Sequence, residues 1–132
     1  MCAIYSTGTE NFTQTGTWYQ VYVDYAMSNG IIKSGDFSNY NRAATRAEMA
    51  YIFTHSLPDS EFASRNTVNS LPDVTGGTSY SDSIFTLYKA GVLTGNDDAG
   101  TFNPNSNIIR AEAAAIISRV ILPDTRGTGK TF

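Results

Sequence analysis

Two stretches of this chain nearly repeat one another: Thr45-Arg46-Ala47-Glu48 and Ile109-Arg110-Ala111-Glu112, each opening an apolar run of helical period. Each follows a glycine-led apolar triplet, Gly30-Ile31-Ile32 or Gly91-Val92-Leu93. Gly30 to Gly91 is a shift of 61, and Arg46 to Arg110 a shift of 64. A repeat at that spacing builds stacked supersecondary units with a shared core, rather than one chain wrapped around a single catalytic cleft.

The two shifts extend the match. The first places Tyr19, Val23, Ala26 and Met27 on Tyr80, Ile84, Leu87 and Tyr88, at i, i+4, i+7 and i+8 of one helical face. Gly30 and Gly91 fall where such a helix would stop, because glycine takes the left-handed C′ conformation without steric cost. The second shift places Met49, Ile52, Phe53 and Leu57 on Ala113, Ile116, Ile117 and Ile121, a second apolar stripe. Between the helices lie Gly35-Asp36-Phe37-Ser38-Asn39 and Gly100-Thr101-Phe102-Asn103-Pro104-Asn105. Each unit thus reads as helix, glycine stop, polar loop with one buried phenylalanine, and helix. The periodicity predicts helices over 18–29, 46–57, 79–90 and 110–121.

The repeated motif has a direct physical reading. Thr45 and Glu48 have the S/T-x-x-E spacing of a capping box, in which hydroxyl and carboxylate each satisfy a free amide at the helix start. Glu112 repeats Glu48, but Ile109 has no hydroxyl, so the later helix starts with a cap poorer by ~1 kcal/mol. Arg46 and Arg110 face the positive end of the helix dipole, which is unfavourable and asks for a compensating anion. A guanidinium beside free helix amides suits a carboxylate. That carboxylate belongs either to a ligand or to an acidic side chain of the neighbouring unit, in which case each arginine only braces the fold.

Taken together, these motifs resemble the S-layer homology family. Its repeat runs from an aromatic-rich first helix through Gly-Ile-Ile, an Asp-Gly-Thr-Phe-x-Pro loop and an Ile-Thr-Arg-Ala-Glu helix start. Trp18, Gly30-Ile31-Ile32 and Ala44-Thr45-Arg46-Ala47-Glu48 carry the resemblance in the first copy. Leu71-Pro72-Asp73-Val74, Gly91-Val92-Leu93-Thr94-Gly95, Gly100 through Asn105 and Ile108-Ile109-Arg110-Ala111-Glu112 carry it more completely in the second. There are departures: Ile109 replaces the threonine, the first loop lacks Gly-Thr and Pro, and Ser79-Tyr80 stands at the counterpart of Trp18.

The resemblance implies an all-α fold of tandem helix-loop-helix repeats around a shared helical core, an incomplete pseudo-threefold arrangement, since family members usually carry three repeats. It implies a cell-surface anchoring module that binds an acidic, pyruvylated secondary cell-wall polysaccharide in grooves between repeats, at the bacterial cell surface. Arg46 and Arg110 would then hold the glycan carboxylate, with Trp18, Gly35, Gly100 and Asn103 shaping the groove. Thr45, Glu48 and Glu112 remain helix-capping residues. Trp18 would either stack on a sugar face or plug the repeat junction. A structural or oligomerisation domain whose degenerate repeats no longer bind glycan is the alternative, and Ile109 and Ser79 favour it for at least one groove.

Composition limits the other classes. The chain has 132 residues, 41% hydrophobic, enough for one domain with a real core. Its net charge is −3 and its nine Lys and Arg are scattered, which argues against nucleic-acid binding. The longest apolar run, Ala113 through Ile117, is far too short to insert across a bilayer. No charged, apolar signal segment opens the sequence, so Met1 reads as the start of an excised domain. Cys2 is the sole cysteine, which excludes an internal disulfide or a cysteine-based metal cage. Asn96-Asp97-Asp98-Ala99-Gly100 lacks the spacing and closing glutamate of a calcium loop and reads as turn chemistry; no metal or other cofactor is implied. The lone His55, without a nucleophile setting, reads as a surface residue. A glycosidase would need two carboxylates across a cleft, and Glu48 and Glu112 are committed to helix starts, so the chain does not read as an enzyme.

The organisation predicted is an N-terminal extension (1–11), one unit (12–57), a polar connector with a short helix near Glu61 (58–70), a second unit (71–122) and a Gly/Thr-rich tail (123–132). Two units of a three-unit design leave Val23, Met27, Ile84 and Leu87 in need of cover. A homo-oligomer, a further repeat of a longer parent protein, or the extension and tail would supply it.

Overall fold

The computed structural model describes residues 12–13 and 16–132; the predicted 1–11 extension lies outside them. The helices at Arg46 and Arg110 start where the motifs place them. Helix α1 spans Gln20–Ser28, α2 Arg46–His55, α3 Ser81–Lys89 and α4 Arg110–Ile121. No strand occurs among the described residues, so the fold is all-α. Both ends of α1 and α3 differ by the shift of 61, and α2 and α4 begin 64 residues apart. The connector carries one 3₁₀ turn at Asp59–Phe62, and another follows α4 at Pro123–Thr125.

Helices α1 and α3 begin two residues later than periodicity predicts. Trp18 and Tyr19 lie in a turn closed by the Gln20 amide on the Thr17 carbonyl (2.9 Å). In the other pair Tyr80 takes a left-handed φ of 58°, a strained conformation for a tyrosine. Its ring stacks on Tyr51 of α2, centroids 4.6 Å apart, and the contact helps hold that conformation.

Helix α2 lies between two apolar clusters. On one side Ala47, Met49 and Ala50 pack with Ile84, Leu87 and Tyr88 of α3, Phe102 of the loop, and Ile116 and Val120 of α4. On the other, Tyr51 and Ile52 join the smaller cluster of Val23, Ile31 and Ile32. Ile84 and Leu87 are fully buried and Val23 is 9% exposed. On α3 the face predicted to need cover is therefore closed within the chain, because α2 lies across it; on α1 Val23 borders an aromatic cleft, and a further exposed face lies on α4, as shown below.

The tail is built into the core. Arg126 is 6% exposed and its guanidinium donates to the carbonyls of Arg119, Val120 and Glu61. Residues 127–132 run beside the connector, with Thr67 donating to Lys130 and Asn69 to Phe132. Phe132 packs edge-on against Tyr88 at 5.3 Å. Gly91 has φ +73°, and a Cβ there would lie 2.0 Å from the Gly127 carbonyl oxygen. The helix-stop glycine therefore does two things: it turns the chain, and it lets the tail approach.

Candidate functional site

The site begins at the free amides of α2. Arg46 donates from its backbone to Ser106 (2.9 Å) and Ala47 to Pro104 (3.0 Å), while Ile108 returns a bond to Ala44 (3.0 Å). The loop of the second helix pair thus clasps the helix start of the first. Asp73, 29 residues upstream of Phe102, fixes that loop by accepting the Phe102 amide at 2.9 Å and the Asn103 amide at 2.5 Å. The capping box at Thr45 is complete: Glu48 N to Thr45 Oγ1 is 3.2 Å, and Thr45 N to Glu48 Oε2 is 2.8 Å. At Ile109 only the carboxylate half exists, Ile109 N to Glu112 Oε2 at 3.2 Å.

Arg46 is buried across this junction. Its Nε donates to the Phe102 carbonyl (2.6 Å), its Nη1 to Glu112 Oε1 (2.5 Å), and its guanidinium carbon lies 4.9 Å over the Phe102 ring. This is the geometry of a brace between the two helix pairs, and Glu112 is the acidic partner in the neighbouring unit. One edge of Arg46 still borders a groove of about 180 Å³. Thr94, Gly95 and Asn96 form one wall; Glu112, Ala115 and Arg119 on α4 form the other. Two cations and one anion leave the groove net positive. Arg119 is held by a bond from Nη1 to the Val92 carbonyl (3.3 Å).

The remaining predicted site residues lie elsewhere. Arg110 is exposed at the start of α4 and makes no hydrogen bond or ion pair among the described residues, so the two arginines do not meet. Trp18, 66% exposed, lines a separate aromatic cleft of about 290 Å³ with Tyr19, Tyr22 and Tyr40. Gly35 is exposed with nothing near it. Gly100 is buried beneath Phe132, whose Cδ1 would lie 2.7 Å from a Cβ there, so it serves packing and not the groove. Asn103 is exposed in a left-handed turn (φ 59°) with its amide on Asp73. None of these five borders the groove beside Arg46, because that wall comes from the segment just after Gly91-Val92-Leu93. No sequence motif singles out Arg119, although it lies seven residues, two helical turns, beyond Glu112 on the same face.

Local electrostatics fit these roles. Arg42 forms a two-pronged ion pair with Glu48, Nη1 to Oε2 at 2.8 Å and Nη2 to Oε1. Those bonds, more than the Thr45 amide, bring the Glu48 carboxyl down to about 2. Asp97 accepts both the amide and hydroxyl of Thr101 (2.9 and 2.6 Å), which hold it below the usual carboxylate range. Its loop is a side-chain-closed turn. His55 is exposed, with a ring nitrogen 2.8 Å from the Tyr51 carbonyl.

The fold thus presents two helix pairs clasped by a loop, with a polar groove at their junction. Residues 70–114, which contain α3, the loop and the start of α4, match the family described as the S-layer homology domain. Neither the curated proteins nor the solved structures include a match. S-layer homology domains bind and anchor; they are not an enzyme family. At the family level they associate with the cell surface by binding secondary cell-wall polymers. No helix among the described residues is long and apolar enough to cross a membrane.

Proposed function

We propose that this chain anchors its parent protein non-covalently to the bacterial cell surface by holding an acidic, pyruvylated cell-wall polysaccharide in the groove between its helix pairs. In this reading residues 12–57 form a diverged unit of the same kind as 71–122. The observation that carries it is the groove itself: Arg46 of one pair and Arg119 of the other border it beside Thr94 and Asn96. A pyruvate ketal presents a carboxylate for a guanidinium, and hydroxyl and amide side chains suit sugar hydroxyls.

Arg46 serves both roles here, its Nε and Nη1 spent on the brace and its remaining edge on the groove. Arg119 supplies the second cation. Arg110 would act only in a groove completed by a further unit. The alternative, a structural domain without glycan affinity, is favoured by how fully Glu112 and Phe102 engage Arg46. Binding to purified cell-wall sacculi, before and after chemical removal of pyruvate ketals, separates the two. Retention that disappears with the ketals supports anchoring, and absence of retention supports the structural reading.

A further inference from the structure

Contacts that bury the face of α2 have empty counterparts on α4. The shift of 64 places Arg46, Ala47, Ala50 and Thr54 on Arg110, Ala111, Ala114 and Ser118. Arg46, Ala47 and Ala50 are 6%, 3% and 0% exposed, and Thr54 donates to Ser83 of α3 at 2.9 Å. All four α4 residues are exposed. Beside them Ile117 and Ile121 are 37% and 52% exposed, and Ile109 is 61% exposed. Nothing among the described residues clasps the Arg110 and Ala111 amides as Ser106 and Pro104 clasp those of Arg46 and Ala47.

The receiving surface also has an open copy at the other end of the chain, where Phe12 packs on Tyr22 at 5.2 Å. Helix α2 packs on Tyr80, Ser83, Ile84 and Leu87; the shift of 61 turns these into Tyr19, Tyr22, Val23 and Ala26 of α1. Those four line the 290 Å³ aromatic cleft together with Phe37, the counterpart of Phe102, and Glu48, the counterpart of Glu112. Tyr22 is 48% exposed and Trp18 66%. The hydroxyl of Tyr40, which also lines the cleft, is buried without a hydrogen-bond partner among the described residues. Glu48 accepts from Arg42 and Thr45, and a carboxylate with about four lone-pair sites has room for one more donor.

We propose that the exposed face of α4 docks in the aromatic cleft of a second copy of this chain, Arg110 reaching that copy's Glu48. One end carries a cation with no ion pair among the described residues and exposed aliphatic side chains; the other carries the carboxylate and the aromatic cleft. Two identical contacts related by a two-fold axis bury both ends of both copies and leave none open. Trp18 then plugs a junction. The inference stands on the internal template of α2 on α3 and does not depend on the glycan reading.

Sedimentation velocity of the whole chain from micromolar to submillimolar concentration tests it. The wild type is expected to dimerise, more weakly in high salt. Arg110→Glu places an acid at a helix start, where it is tolerated, and should weaken association at least about tenfold. Glu48→Arg should do the same, and an equimolar mixture of the two variants should recover dimers through the reversed pair. Because Glu48→Arg also removes a cap, Ala114→Trp, on an exposed helix face, serves as an independent block. A wild type that stays monomeric throughout, or Arg110→Glu and Ala114→Trp proteins that dimerise as well as wild type, overturns the proposal.

Discussion

Arg46 at the start of α2 donates to Glu112 near the start of α4, 2.5 Å across a sequence gap of 66 residues. The arginine side chain is 7% exposed and the glutamate 33%. The pair therefore joins the two halves of the fold at the rim of the groove. Glu112→Ala leaves a buried cation with a lost partner, and should destabilise the chain by about 1–3 kcal/mol. Urea denaturation of Arg46→Ala, Glu112→Ala and the double variant should give a coupling energy of about 0.5–3 kcal/mol. Additive effects would mean that the contact braces nothing.

The two helix-stop glycines make a matched pair for a second test. Gly30 and Gly91 have φ of 69° and 73°, so alanine at either position is strained by about 1–2 kcal/mol. At Gly30 an added Cβ meets nothing within 4 Å, whereas at Gly91 it strikes the Gly127 carbonyl. Gly91→Ala should therefore cost at least ~2 kcal/mol more than Gly30→Ala, and faster amide exchange in residues 127–132 should report release of the tail. Equal thermal shifts would show that the tail does not need the close approach.

Acid should loosen the start of α2. The folded-state Glu48 carboxyl lies at about 2, below its ordinary 4.5, chiefly because Arg42 binds the ionised form. A depressed folded value contributes stability above the unfolded value and loses it as pH falls from about 4.5 toward 2. With discounting for the solvent around this pair, the contribution is about 1–2 kcal/mol. Glu48→Gln should remove this part of the pH dependence of unfolding, and an unchanged acid limb would assign it to other carboxylates.

Much of this architecture is legible in the sequence because it is periodic. Tyr19 through Met27 and Met49 through Phe53 announce helices by spacing, and Gly30 and Gly91 mark the stops of α1 and α3. The capping box at Thr45 and its half-formed copy at Ile109 follow from side-chain chemistry alone. The partner of an arginine does not. Both a ligand carboxylate and Glu112 satisfy Arg46, and only the packing of the loop from Phe102 to Ile108 against α2 decides which is present. Likewise Gly100, legible as a loop glycine, lies under Phe132 because the tail returns across the molecule, a contact no local motif encodes. Arg119 and Thr94 enter the groove through the same long-range assembly.

The central claim is that the groove between the helix pairs holds an acidic cell-wall glycan, and Arg119 is its cleanest probe. Arg119→Ala spares the Arg46–Glu112 pair and removes one bond to the Val92 carbonyl, so its melting temperature should stay within a few degrees of wild type. In a co-sedimentation assay with purified sacculi, it should bind at least about tenfold more weakly than wild type. Wild type should lose a similar share of binding when the pyruvate ketals are removed. Arg119→Ala protein retained as tightly as wild type on pyruvylated sacculi would contradict the account.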